Sequence, residues 1–127
     1  MAAGDIKDES AIVISVTAGA AVTKGQLVRL ESDGKWDPTA VTDAGKFGVA
    51  CEAASGDTVA FKCCVYGPVE VTATAAAIAK GAYVIADAGL VKDAGVLAET
   101  TVYGTIVGFA MEAFASGETK TVFVGGM

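Results

Sequence analysis

The sequence predicts an all-β fold: a small antiparallel β-barrel or sandwich built from two similar halves, with an extended N-terminal arm. Short segments rich in β-branched residues alternate with turn signals about every ten residues. Hydrophobic residues make up 53% of the 127 positions but aromatic residues only 7%, so the apolar content comes from small side chains. A chain of this length fits one domain. An internal repeat, described below, predicts the two halves.

The first half contains three predicted strands. Ile12–Thr17 is β-branched and ends at Ala18-Gly19. Gln26–Leu30 alternates polar and apolar residues before a Ser-Asp-Gly turn. Thr58–Tyr66 also alternates, which predicts that one strand face is buried. The residues of that face are Val59, Phe61, Cys63 and Val65.

The second half begins after a predicted break at Gly67-Pro68. A strand resumes at Val69–Thr72, and Ala73–Lys80 has the composition of one or two helical turns. The apolar segment Thr105–Met111 is followed by a Ser-Gly turn and by Thr119–Val124, which predicts a hairpin.

Three motifs recur in the same order along the chain. Ala20–Val28 and Ala76–Val84 share the pattern Ala-Ala-apolar-x-Lys-Gly-x-apolar-Val. Two further pairs follow, Gly48–Ala53 with Gly108–Ala113 and Ser55–Thr58 with Ser116–Thr119. We therefore divide the chain into an arm, residues 1–11, and a single β domain, residues 12–127, with repeat halves at about 16–66 and 71–124. Halves this short are expected to complete one shared core.

Composition excludes several classes of function. The formal net charge is −6, and phosphate binding needs clustered Lys and Arg, so we expect no nucleic-acid partner. The longest uncharged segments lack the ~20 apolar residues of a spanning helix, so we expect no membrane partner. The N-terminus lacks the pattern of a secretory signal.

Candidate chemistry is sparse. The sequence has no histidine to activate a Ser, Thr or Cys nucleophile. The three cysteines are expected to be reduced and buried, although a bridge between Cys51 and Cys63 is geometrically possible. Glu52 and Glu112 occupy equivalent repeat positions and could form a carboxylate pair, but we favour a role in capping strands. We expect no enzyme, no catalytic or metal-binding residues, and no cofactor.

The chain resembles the small two-repeat phage proteins that decorate capsids, known as head-stabilising or cement proteins. The resemblance covers nearly the whole chain. It lies in Val22–Val28, Gly48–Ala53, Lys80–Val84, Gly108–Ala113 and the terminal Thr-Val-Phe-Val strand.

This resemblance implies a structural virion protein on the outside of an icosahedral phage capsid, made in the host cytoplasm. Its implied partners are the major capsid protein and further copies of itself, as a homotrimer. A subunit of another assembly, such as a tail tube or surface filament, is the alternative, followed by a carbohydrate-binding module.

Contact residues are expected near the N-terminus, where a polar segment leads into the edge strand Ile12–Thr17. Such a segment can order on binding by strand addition. The lone Trp36 could anchor a partner, although covering the end of a small barrel is the more common role. The candidate capsid or subunit contacts are Asp5, Ile6, Ile12, Val13, Ile14 and Trp36.

Overall fold

The structure is a computed structural model that describes residues 2–41, 43–95 and 103–125. Within these ranges, nine strands form one antiparallel sheet, so the all-β prediction is confirmed. The strands are β1 (Ile12–Thr17), β2 (Leu27–Leu30), β3 (Trp36–Pro38), β4 (Phe47–Ala50), β5 (Ala60–Thr72), β6 (Tyr83–Asp87), β7 (Leu90–Asp93), β8 (Ile106–Ala110) and β9 (Thr119–Val124). A short 3-10 helix covers Tyr103–Thr105. The strand order is β3-β2-β4-β5-β9-β8-β6-β7, and β1 also pairs with β5.

The predicted break at Gly67-Pro68 is wrong, because β5 runs through it without interruption. Residues before Gly67 pair with β1, and residues from Gly67 onwards pair with β9. Gly67 has a φ of 114°, which a residue with a Cβ rarely adopts, and a side chain there would collide with Ala11. The Gly-Pro pair therefore marks the point where one strand changes partner.

The prediction of helical turns at Ala73–Lys80 is also wrong. Ala73 forms a parallel bridge with Val91, and Ile78 forms an antiparallel bridge with Phe114. The Thr74 amide donates to the Val91 carbonyl over 3.0 Å. These bonds hold the segment against neighbouring strands and bury Ile78, so tertiary contacts override the local helix preference.

The hairpin predicted near the C-terminus is present, since β8 and β9 pair as antiparallel neighbours. Equivalent backbone contacts recur in the two parts of the chain. Val22–Ala54 corresponds to Ile78–Phe114, Ala18–Trp36 to Ala73–Val91, and Gly25–Ala50 to Gly81–Ala110. The same pairing scheme is thus built twice.

The buried apolar residues form two clusters, one of which is shared between the halves. The first cluster comes entirely from the first half: Ala18, Val22, Val28, Trp36, Ala50, Ala54, Phe61 and Cys63. The second cluster is larger and combines second-half residues with four from the first half, Leu27, Phe47, Val49 and Cys64. The first half therefore buries one sheet face in its own cluster and part of the other face against the second half.

The buried face predicted for Thr58–Tyr66 is correct in part. Phe61 and Cys63 lie in the first cluster, and half-buried Val65 packs against it. Val59 is 37% exposed, so its predicted burial is wrong. It precedes β5, in a turn where its amide donates to the Gly56 carbonyl, and strand alternation does not set its direction.

Candidate interaction surfaces

The N-terminal segment Gly4–Lys7 lies along the second part of β5. The Gly4 amide donates to the Glu70 carbonyl over 2.8 Å, and the Glu70 amide donates to the Asp5 carbonyl over 2.9 Å. The Lys7 amide donates to the Pro68 carbonyl over 3.0 Å. We call this segment the docked lead, because it adds a short strand-like partner to β5 of its own chain.

Gly4 fixes the position of the docked lead. It is buried with a φ of 87°, and a Cβ there would crowd the Ala50 carbonyl oxygen and the Gly25 amide. Only glycine combines this conformation with so close an approach of two backbones.

Asp5 ties the docked lead to the first half. Its carboxylate accepts a 2.7 Å hydrogen bond from Lys24 Nζ and a 2.9 Å bond from the Ala2 amide. The bond from Lys24, followed by that from Ala2, lowers the pKa of Asp5.

The neighbouring residue Ile6 is 40% exposed beside its bridge to Val69, so the lead presents an apolar side chain to solvent.

Strand β1 carries three of the candidate contact residues. Ile12 is 51% exposed and Ile14 is 39% exposed, whereas half-buried Val13 packs against the second cluster. Among the described residues β1 has one strand partner, β5, so it forms an edge of the sheet. An edge strand with exposed isoleucines is a favourable place for another chain to add.

Trp36, the last candidate contact residue, is only 7% exposed. It packs in the first cluster and also lines a groove of about 530 Å³ with Phe47, Tyr66 and Ile106. The position agrees with the core-covering alternative. A contact between Trp36 and a partner stays a prediction.

Glu52 and Glu112 each bind the backbone of their own half. Glu52 accepts a 2.9 Å hydrogen bond from the Lys62 amide, and Glu112 accepts a 3.2 Å bond from the Thr121 amide. Hydrogen bonding from Thr121 lowers the pKa of Glu112. Both contacts match the interpretation that these carboxylates cap strands.

The adjacent cysteines face opposite sides of β5, as strand alternation predicts. Cys63 lies in the first cluster and Cys64 in the second, while Cys51 is half-buried, and all three are free thiols. Burial raises the pKa of Cys64 to about 11 and that of Cys63 further. Such thiols stay protonated near neutral pH and pack as small apolar groups.

Two features are absent from the described residues. They contain no group of three or more His, Cys, Asp or Glu side chains arranged to hold a metal ion. They also contain no helix with the length and apolar character needed to cross a membrane.

A line of aromatic side chains that was not predicted from the sequence runs from β5 across β9 and β8 to β6. Tyr83 pairs with Phe109, and Phe109 pairs with Phe123, whose ring it stacks on at 5.4 Å. Tyr66 packs edge-on against Phe123 at 5.1 Å. We call Tyr66, Phe123, Phe109 and Tyr83 the aromatic row. Finding it requires the strand register, because its members are far apart in sequence.

The aromatic row is accessible to solvent. Tyr66 is 46% exposed and Tyr83 is 37% exposed, and both phenylalanines are half-buried. Met111, two residues beyond Phe109, is 38% exposed. Large apolar side chains joined in one surface patch are typical of protein interfaces.

A sequence-family model and a solved structure are similar to this chain. The sequence model described as phage cement protein matches residues 6–126. Among solved structures, the head fiber gp8.5 N base of bacteriophage phi29 is similar, with a TM-score of 0.62 and 18% sequence identity. That similarity covers 90% of this chain and 95% of the phi29 chain, and it shows a shared fold. No curated protein sequence matches the chain.

Proposed function

Because this chain belongs to the phage cement protein family, we propose that it decorates and stabilises the outside of an icosahedral phage capsid. Family membership identifies a structural phage virion protein. The match over residues 6–126 is the observation that carries the proposal, since it includes both repeat halves and the last two residues of the docked lead. The similar phi29 protein is the base of a head fiber, which supports a location on the head.

The proposal assigns the chain two kinds of partner, the major capsid protein and further copies of itself in a homotrimer. The surface that we assign to the capsid contact consists of the docked lead and β1. It joins the exposed side chains of Ile6, Ile12 and Ile14 to the edge of the sheet. Main-chain pairing along such an edge adds hydrogen bonds, each contributing roughly 0.5–1.5 kcal/mol net.

The proposal includes no catalysis. The sequence lacks histidine, and the two candidate carboxylates, Glu52 and Glu112, are engaged by the strand backbone of their own halves.

Co-sedimentation with purified phage heads tests the proposed function. The wild-type chain should sediment with heads that lack it and should raise the temperature at which those heads release DNA. Absence from heads, together with recovery in a tail fraction, would instead support the tail-tube alternative.

Paired variants test the assigned surface. Replacing Ile12 and Ile14 by Asp should weaken head binding, because each change places a charge on the exposed apolar edge. Val41→Asp is a matched control, since Val41 is 61% exposed and lies far from β1 in sequence. Equal binding by both variants would contradict the assignment.

A further inference from the structure

We infer that the aromatic row is the surface through which one copy of this chain packs against a second copy. The inference deepens the proposed function, and rests on the self-association included in it. The two halves have equivalent sheet faces, and these faces differ in what covers them.

The first half contains an apolar row at positions equivalent to the aromatic row. Leu27 pairs with Val49, and Val49 pairs with Cys64, just as Tyr83 pairs with Phe109 and Phe109 with Phe123. The correspondence extends one strand further, to Val13 beside Cys64 and Pro68 beside Phe123. Opposite residues in an antiparallel pair share a face, so each set lines one side of its sheet.

The two rows differ in what covers them. Leu27, Val49 and Cys64 are at most 1% exposed, because the second half packs over them in the second cluster. Their counterparts in the second half are large aromatic residues that remain partly exposed. The first half therefore buries this face within the chain, whereas the second half exposes the equivalent face with larger apolar side chains.

The aromatic row begins beside the packing between the halves. Tyr66 lies two residues beyond Cys64 on β5, and the pairing with β1 shifts register between them, since Val13 lies opposite Cys64 and Ile12 opposite Tyr66. Cys64 is buried in the second cluster, whereas Tyr66 is exposed and contacts Phe123. The aromatic row therefore starts two residues along β5 from a side chain that is buried between the halves.

These observations favour a second copy of the chain as the occupant. Within the chain, the partner of this face is a repeat unit of the same fold, and a second copy supplies further units of that kind. Tyr and Phe side chains provide large contact areas at interface centres. If the row meets a different surface on the next copy, the contact is heterologous, and a rotation of about 120° between copies would close it into a trimer.

Sedimentation of the full chain over a range of concentrations tests the inference. The wild-type protein should associate, and the double variant Tyr83→Glu with Phe109→Glu should weaken association by at least about tenfold by removing central contacts. Val59→Glu is the matched control, because Val59 is 37% exposed, as is Tyr83, but lies outside the row. Circular dichroism should show the same strand content in all three proteins.

A measurement on wild-type protein covers the case in which the double variant misfolds. Amide hydrogen exchange in β6, β8 and β9 should slow as concentration rises from the monomer range to the oligomer range. A wild-type monomer at all concentrations would overturn the inference. Association that persists in the double variant would also overturn it, as would hydrogen exchange in these strands that does not depend on concentration.

Measuring head binding on the same proteins distinguishes a failure of this inference from a failure of the proposed function. A chain that associates through the row but does not bind heads leaves the inference standing and contradicts the proposed function. If the double variant associates normally but no longer binds heads, the row contacts the capsid and the inference is wrong.

Discussion

Phe61 heads the fully buried side chains of the described residues by volume, and only 1% of it is exposed. It lies in the first cluster, opposite Val16 of β1. Replacing Phe61 by Ala removes most of a buried ring and leaves a cavity, so we expect a loss of about 3–5 kcal/mol in the free energy of unfolding. Urea titration of both proteins measures it.

Val59→Ala is the companion variant for this measurement. Val59 lies two positions before Phe61 but is 37% exposed, and its loss should be below about 1 kcal/mol. Similar losses for the two variants would contradict the strand boundary at Ala60.

Gly108 illustrates a second kind of constraint at the residue scale. A Cβ at this position of β8 would overlap the Phe123 carbonyl oxygen on β9, and the backbone there cannot move without disturbing the sheet. We expect Gly108→Ala to destabilise the fold by about 1–3 kcal/mol through overpacking. The thermal melting temperature gives a direct comparison with Gly56→Ala, whose Cβ would meet no atom within 4 Å. Equal melting temperatures would refute the prediction.

At the scale of elements, the docked lead depends on Gly4. An alanine there would combine an unfavourable positive φ with crowding against Ala50 and Gly25, so the lead should detach more often. We expect faster hydrogen exchange at the Glu70 amide, which donates to Asp5 in the docked state. Gly34 has a similar φ of 83°, but a Cβ there would meet no atom within 4 Å. Gly34→Ala should therefore leave hydrogen exchange at the Glu70 amide unchanged.

The docked lead should also respond to acid. Lys24 lowers the pKa of Asp5, so ionised Asp5 stabilises the folded state. This contribution is complete above the ordinary Asp pKa of about 3.9 and is lost as pH falls through the lower folded value. The melting temperature of wild-type protein should therefore exceed that of Asp5→Asn near neutral pH, and the difference should shrink toward about pH 2. A constant difference across this range would show that the Asp5–Lys24 pair does not contribute.

Most strands were predictable from the sequence because alternation and β-branched residues act locally. The all-β class, the C-terminal hairpin and the opposite directions of Cys63 and Cys64 all follow from that signal. Local signals failed at Gly67-Pro68 and at Ala73–Lys80, where pairing with distant strands determines the conformation. The aromatic row was missed for the same reason, since Tyr83, Phe109 and Phe123 meet only through the register of three strands.

At the scale of the whole molecule, we expect stability to be independent of divalent metal. Cys63 and Cys64 are buried, Cys51 is half-buried, and the described residues hold no cluster of metal-ligating side chains. Addition of a chelator should leave the melting temperature within the error of the scan. A large decrease would contradict this expectation.

The uninterrupted course of β5 has a mechanical consequence. The two halves are joined by a single strand of thirteen residues, of which those before Gly67 pair in the first half and the rest pair with β9. A pull on the first half is carried along the β5 backbone, past Gly67, into the hydrogen bonds with β9. Because β5 crosses the junction without a break, we expect the two halves to move together rather than to bend about a hinge.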